Sequence, residues 1–210
     1  MNRRIVIVGA SGHGKVIADI AKRNGYAEIV FLDDNASLKE CSGYPVVGTS
    51  KDAERYGDSD FIVAIGNARI RQKIQLSLAE NGKRLATLIH PNAVIGENVS
   101  LDEGTVVMAG AVINPCVKIG KGCIINTCAS VDHDCMIGDF VHISVGAHVA
   151  GTVAIGNRTW IGIGGVVSNN IEITDDCMIG AGAVVVKNIP ESGTYVGAPA
   201  RIMKNENTVE

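Results

Sequence analysis

Two hydrophobic periods divide the chain. From Arg4 to about Leu88, short apolar runs alternate with amphipathic stretches: Ile5-Val6-Ile7-Val8, then Lys15 to Asn24, Ile29-Val30-Phe31-Leu32, Phe61-Ile62-Val63-Ala64-Ile65, and Arg69 to Asn81. The short runs suit buried strands, and the longer ones suit helices closed by Asn24-Gly25 and Asn81-Gly82. Strand and helix in alternation predict a small parallel sheet, an abbreviated Rossmann-like α/β domain over residues 1–88. Beyond it a different rule holds. Every sixth residue from Ile95 to Val185 is Ile, Leu or Val, sixteen positions in succession, although these types make up only 57 of 210 residues. At roughly one position in four, such a run does not arise by chance. Two places before the stripe stand small or β-branched residues, among them Val99, Thr105, Ala111, Val117, Cys123, Ala129, Cys135, Val141 and Ala147, so a wide and a narrow inward position recur.

A period of six fits neither a helix nor a plain strand. It fits a short strand plus a turn, one side of a triangular coil of eighteen residues that stacks on its neighbours and bonds to them through the backbone. Residues 95 to 185 make about five such coils, within an all-β domain expected over 89–210 and ending in a closing segment. Residues eighteen apart then become neighbours: His133 lies over Gly151, Asp134 over Thr152 and His142 over Trp160, while Asn126, Ser144, Gly162 and Gly180 form one column.

Composition narrows the picture. An apolar share of 46% supplies a core, but with only 4% aromatics and 25 glycines that core must be aliphatic and closely packed. A net charge of -3 advertises neither nucleic acid nor an anionic membrane as partner. The sequence shows no apolar stretch long enough to span a bilayer and opens with no leader pattern, which predicts a soluble, cytoplasmic protein without membrane insertion. Six cysteines (Cys41, Cys116, Cys123, Cys128, Cys135, Cys177) show no CxxC spacing and sit among apolar or small residues, which predicts buried, reduced thiols.

Candidate chemistry gathers at two places. In Val131-Asp132-His133-Asp134-Cys135 an imidazole stands beside a carboxylate, the composition of a general base with a fixed tautomer, and Gly151 clears the surface next to it. Solvated surface is the plainer account of such a pair. At the other place, Gly9-Ala10-Ser11-Gly12-His13-Gly14 follows a predicted strand and opens a helix, where amides and the dipole favour a diphosphate, and Asp33-Asp34 closes the second strand as a ribose or base partner would. The spacing is GxxGxG, not GxGxxG. The alternative is that Gly12 and Gly14 merely allow close helix packing.

The six-residue stripe resembles the hexapeptide-repeat acyltransferases, which implies a left-handed parallel β-helix. Ile125-Asn126-Thr127, Val131-Asp132-His133-Asp134 and His142-Ile143-Ser144-Val145-Gly146 are similar to the active-site stretch of bacterial sugar O- and N-acetyltransferases of the sialic acid and bacillosamine type. The resemblance runs from Gly9 to Pro199. It implies His133 as the base and Asp134 as the acid that tunes it. That acid is commonly Glu in the bacillosamine enzymes, and Asp134 is one methylene shorter. It further implies acetyl-CoA as co-substrate, touched by His142 and held along Gly151, Ile163 and Ala181, with no metal. A nucleotide-linked aminosugar, with UDP the expected nucleotide, would be held by Ser11, Gly12, His13, Asp33, Asp34 and Gly66, helped by Asn67 and Asn126. Homotrimers with sites at subunit interfaces are implied as well, and Val196-Gly197-Ala198-Pro199-Ala200 matches the family's usual closing segment. His148 has no implied role. Three alternatives stand beside N-acetylation in bacterial glycan biosynthesis: O-acetylation of a sialic acid, a γ-carbonic-anhydrase-like zinc enzyme using His133, His142 and His148, and a sugar-nucleotide-binding scaffold without turnover.

Overall fold

The structure, a computed structural model, describes residues 3–203. Residues 1–2 and 204–210, at the two ends of the expected domains, lie outside the described residues. The first half runs β1 (Arg4–Val8), α1 (Gly12–Arg23), β2 (Glu28–Leu32), β3 (Glu40–Cys41), β4 (Tyr44–Pro45), a short 3-10 helix (Ser50–Arg55), β5 (Asp60–Val63), α2 (Ala68–Glu80) and β6 (Arg84–Leu85). Four strands make a parallel sheet in the order β2-β1-β5-β6. Strand alternation sends Ile5 and Ile7 to one face, with Ile17, Ala18 and Ala21 of α1, and sends Val6 and Val8 to the other, with Leu78 of α2. Both faces are covered, which is why β1 reads as an unbroken apolar run. α2 begins at Ala68 because the Asn67 side chain accepts a hydrogen bond from Ile70 N at 3.1 Å.

The second half is a parallel coil. Seventeen two-residue strands follow one another every six residues, from β7 (Leu88–Ile89) to β23 (Val184–Val185), and are completed by β24 (Thr194–Val196) and β25 (Arg201–Ile202). They stack into three sheets of 8, 6 and 5 strands, the three sides of the triangle. The first side starts at Leu88–Ile89, the second at Val94–Ile95 and the third at Ser100–Leu101. Ile89 extends the stripe one step before Ile95, and Thr194–Val196 adds a strand at the far end, so the coil makes about six turns against the five expected. From Val107 to Val185 no stripe residue is more than 4% exposed.

Corners are set by backbone conformation. From Asn98 to Gly182 one residue of each corner has a positive φ, three places after the stripe, in a series that includes Asn98, Cys116, Cys128, Asp134, Phe140, Thr152 and Arg158 as well as glycines. That series corrects the expectation for the thiols: Cys41, Cys123, Cys135 and Cys177 are buried, but Cys116 and Cys128 occupy these outward corners and are exposed. The narrow inward positions satisfy corner amides. Thr105 Oγ1 accepts from Cys123 N at 3.0 Å, Cys135 Sγ from Val153 N at 3.4 Å, and Thr159 Oγ1 from Cys177 N at 3.1 Å. Between the third and first sides a carboxylate and amide ladder does the same: Asp139 Oδ1 accepts from Lys121 N, Asn157 Oδ1 from Asp139 N and Asp175 Oδ1 from Asn157 N, each at 2.8 Å.

The α/β half covers the early coils of the first side. Outward-facing Leu88, Val106 and Ile124 are buried in one cluster with α1. Later coils present His142, Trp160 and Met178 there instead.

If the corners carry backbone strain, Thr152, β-branched at φ 60°, should be the costly occupant. Thr152→Gly is expected to raise Tm by about 1–4 °C, whereas Gly146→Val, at φ 59° with open space around its Cβ, should lower it. Thermal unfolding of the two variants checks this, and a lower Tm for Thr152→Gly would overturn it.

Candidate active site

His133 stands on the corner between the second and third sides. Its Nδ1 lies 2.8 Å from Asp134 Oδ2, so the shorter acid reaches the ring. Asp134 occupies the positive-φ position, at 58°, and its amide donates to Pro115 O, which fixes the carboxylate beside the imidazole. Asp132 Oδ1 accepts from His133 N at 2.8 Å and from Asn114 Nδ2 at 2.6 Å, which braces the segment and holds the Asp132 carboxyl below its usual range. A Cβ on Gly151 would come within 2.6 Å of His133 Nε2. The ring therefore lies directly over that glycine. Hydrogen bonding to Asp134, with the charge of Asp132 adding, raises the His133 pKa above 6.5. Both side chains of the pair are exposed.

A second group lies where the first side meets the α/β half. His142 stacks on Trp160 with ring centroids 5.0 Å apart, and the Trp160 indole N–H donates to Ser144 Oγ. Asn126 Oδ1 accepts from Thr127 N at 2.8 Å, which turns its Nδ2 toward His142 Nε2 at 3.0 Å. The network thus assigns Nε2 as acceptor and puts the His142 proton on Nδ1, a buried atom without a protein partner. Burial, then the positive charge of Arg71, pushes the His142 pKa down to about 3 and that of His13 to about 4. Both are neutral near pH 7. Gly66, Asn67, Ala68 and Arg69 face this group across a cleft of about 240 Å³. At its rim Asp176 joins Arg69, at 2.9 Å, to Arg158, at 2.8 Å.

The glycine loop divides its labour. A Cβ on Gly14 would strike Gly9 O at 2.3 Å, so Gly14 serves packing, but a Cβ on Gly12 would meet nothing within 4 Å. Gly12 and Ser11 are exposed at the start of α1. Asp33 Oδ2 accepts from Ala10 N at 2.7 Å and its Oδ1 from Asn35 N, while Asp34 Oδ1 accepts from Ser50 N at 2.9 Å. These carboxylates shape the loop first, and their remaining lone pairs stay available.

One chain does not gather every residue singled out in the sequence. Asn126 and His142 come together, with His13 and Gly66 nearby. His133, Asp134 and Gly151 form a separate group, and Ile163 and Ala181 are exposed on the corner between the first and second sides. The whole second side separates those two corners. His148 projects from that side with Nδ1 2.8 Å from Ser130 Oγ, so His133, His142 and His148 stand apart, and no group of three potential metal ligands occurs among the described residues. A larger groove of about 720 Å³ on the third side holds none of these residues. Arg69, Arg71 and Trp160 carried no functional signal, whereas eighteen-residue stacking does place Arg158 over Asp176.

The comparisons agree with this architecture. A family model described as the PglD N-terminal domain matches residues 4–78. The acetyltransferase domain of PglB from Neisseria gonorrhoeae FA1090, solved in complex with acetyl coenzyme A, is 41% identical with a TM-score of 0.94, over 97% of this chain and 100% of that one. A variant of perosamine N-acetyltransferase from Caulobacter crescentus, in complex with CoA and GDP-perosamine, is 37% identical with a TM-score of 0.91, over 96% and 97% of the two chains. UDP-N-acetylbacillosamine N-acetyltransferase of Bacillus subtilis (strain 168) is 35% identical over 112 residues, 51% of this chain and 52% of that protein. The chain spans about half the length of the curated relatives it matches. Similarity along nearly the full length of the solved structures, on the same α/β half and left-handed coil, shows that the chain belongs to the hexapeptide-repeat sugar acetyltransferases.

Proposed function

We propose that the chain transfers the acetyl group of acetyl-CoA to the amino group of a nucleotide-linked aminosugar, in the cytoplasm and in bacterial glycan biosynthesis. The observation that carries this reading is the His133–Asp134 pair on an open corner. Asp134 accepts the proton of Nδ1, so Nε2 presents its lone pair beside Gly151. The substrate amine attacks the thioester carbonyl carbon while Nε2 takes a proton from the nitrogen. The C–S bond of the tetrahedral adduct then breaks, its electron pair leaves with sulfur, and the imidazolium returns the proton to the CoA thiolate. The amide of Gly151 donates to no protein group among the described residues, unlike Ala150 N and Thr152 N on either side, and in this scheme it stabilises the oxyanion. A thioester is already activated, so no acyl-enzyme is required. The acetyl-CoA and GDP-perosamine complexes of the relatives support this choice of substrates.

In this reading the α/β half holds the nucleotide-sugar, with the diphosphate at Ser11, Gly12 and His13 and the nucleoside near Asp33 and Asp34, while Gly66 and Asn126 face the sugar. Acetyl-CoA lies along the coil at Gly151, Ile163 and Ala181, with His142 at its acetyl end. Because the corners bearing Gly151 and Ile163 lie a full side apart, these contacts come together between subunits of a homotrimer. Val94 and Val166, 59% and 38% exposed on the second side, supply apolar surface for that contact.

Sedimentation at micromolar concentration should give the mass of three chains, and a mass of one or two would contradict the assembly.

His133→Ala should lower turnover by about 10²- to 10⁴-fold with both substrates still bound, measured as thiol release from acetyl-CoA over a panel of nucleotide-aminosugars and CMP-sialic acid. The base works in its neutral form, so the raised pKa of His133 sets the acid limb of kcat/KM above pH 6.5. Asp134→Asn, which keeps a residue tolerant of positive φ, removes the group that raises that pKa and should move the limb to lower pH. An unmoved limb would make Asp134 a structural neighbour only.

Gly12→Val places its side chain in open space, so Tm should change little while KM for the nucleotide-sugar rises strongly and the Kd for acetyl-CoA stays the same. Equal losses for both ligands would refute this division between the halves.

A further inference from the structure

Arg71 is 1% exposed, and its hydrogen bonds end on backbone carbonyls of both halves. Nε donates to Gly122 O and Nη2 to Phe140 O, each at 2.7 Å, on consecutive coils of the corner between the third and first sides. Nη1 donates to Ile65 O and Gly66 O, each at 2.8 Å, in the segment that leads from β5 into α2 and lines the cleft opposite Trp160. A buried guanidinium held only by neutral oxygens is a poor stabiliser compared with an apolar side chain of similar volume, so its retention points to geometry. The planar fork fixes four directions at once, which a lysine does not.

Those directions have a chemical result. A trans peptide points its C=O and the next residue's N–H to opposite sides. Drawing Ile65 O and Gly66 O inward onto Arg71 therefore turns the amides of Gly66 and Asn67 away from it, toward the cleft. Neither amide donates to a protein group among the described residues. We propose that Arg71 is a positioning residue that anchors the Ile65–Asn67 segment to the coil and so presents the Gly66 and Asn67 N–H groups as a paired donor for an oxygen of the nucleotide-sugar, a phosphate or sugar oxygen. This rests on the functional reading above for the ligand, and on the geometry alone for the anchoring.

Two variants on α2 separate positioning from packing. Arg71→Lys keeps the charge but loses the fork. Gln75→Ala, one helical turn later, removes a buried side chain that hydrogen-bonds the coil at Glu103 O, 2.9 Å, and makes no hydrogen bond to the segment. In amide ¹H–¹⁵N spectra of the full chain without substrate, Arg71→Lys should shift or broaden the Gly66 and Asn67 resonances and Gln75→Ala should leave them in place. Unchanged resonances in Arg71→Lys overturn the anchoring, whether or not the enzyme turns over. In kinetics, Arg71→Lys should raise KM for the nucleotide-sugar about ten-fold, with the Kd for acetyl-CoA within about two-fold of wild type and KM unmoved in Gln75→Ala. Equal KM changes in the two variants would reduce Arg71 to packing. If Arg71→Lys does not fold, Asn67→Pro still tests the donor role: it deletes one N–H at a φ of -64°, which proline adopts, and should raise KM above that of Asn67→Ala, which loses the same α2 cap but keeps the N–H, while equal KM in the two overturns the donor role. Wild-type protein that acetylates no nucleotide-sugar would refute the functional reading and leave the spectra to decide the anchoring.

Discussion

The backbone hydrogen bond from one coil to the next is the constraint on which everything else depends. Met108 N reaches Ile125 O, Ile124 N reaches Val141 O and Asn126 N reaches Ile143 O, all at 2.9 Å and all seventeen residues ahead. Each coil must therefore contain eighteen residues, and each stripe residue must sit on another stripe residue. A slip would replace Ile or Val in the core by a corner residue. Corners absorb what this register imposes: a positive φ at a fixed place, and side chains such as Thr105 and Cys135 that receive amides the ladder misses. His133 lies over Gly151 for the same reason that Ile125 lies under Ile143.

This is also why the coil was legible in the sequence. Its signal is one-dimensional and repeated, so stacking arithmetic alone placed His133 over Gly151 and His142 over Trp160. The α/β half offered no such redundancy. Its long apolar runs gave the central strands and helices, but β3, β4 and β6 have two residues each, too few for any period to show. The candidate site was legible where a residue acts with a sequence neighbour, as His133 does with Asp134. It was not legible for Arg71, whose two partners on the coil lie 51 and 69 residues away and whose surroundings in sequence, Ile70 and Gln72, read as an ordinary helix face. Nor did composition distinguish Gly12 from Gly14. Only the contact of Gly14 with Gly9 O and Phe31 separates the packing glycine from the open one.

The join between the halves arises from a change of outward residues on one side of the triangle. Leu88, Val106 and Ile124 are apolar and accept α1, whereas His142, Trp160 and Met178 continue the same column with partly polar groups. The α/β half thus covers the early coils and leaves a cleft beside the later ones, lined from its own side by the segment that Arg71 ties down. Docking and the position of the cleft are consequences of one pattern, read up one face.

The coil ends in a way that bears on how the protein behaves in solution. A stack of parallel strands would present an open rim to any other extended chain. Here β24 pairs with β22 (Met178–Ile179) on the first side and β25 folds back antiparallel against it, while Ala200 N donates to Val184 O on the second side and Ile189 N to Glu172 O on the third. All three edges of the last turn are thus engaged by the chain's own C-terminal segment. The fold carries its own stopper against end-to-end fibre growth, and truncation before Ile189 would uncork a template for strand addition rather than simply shorten a domain.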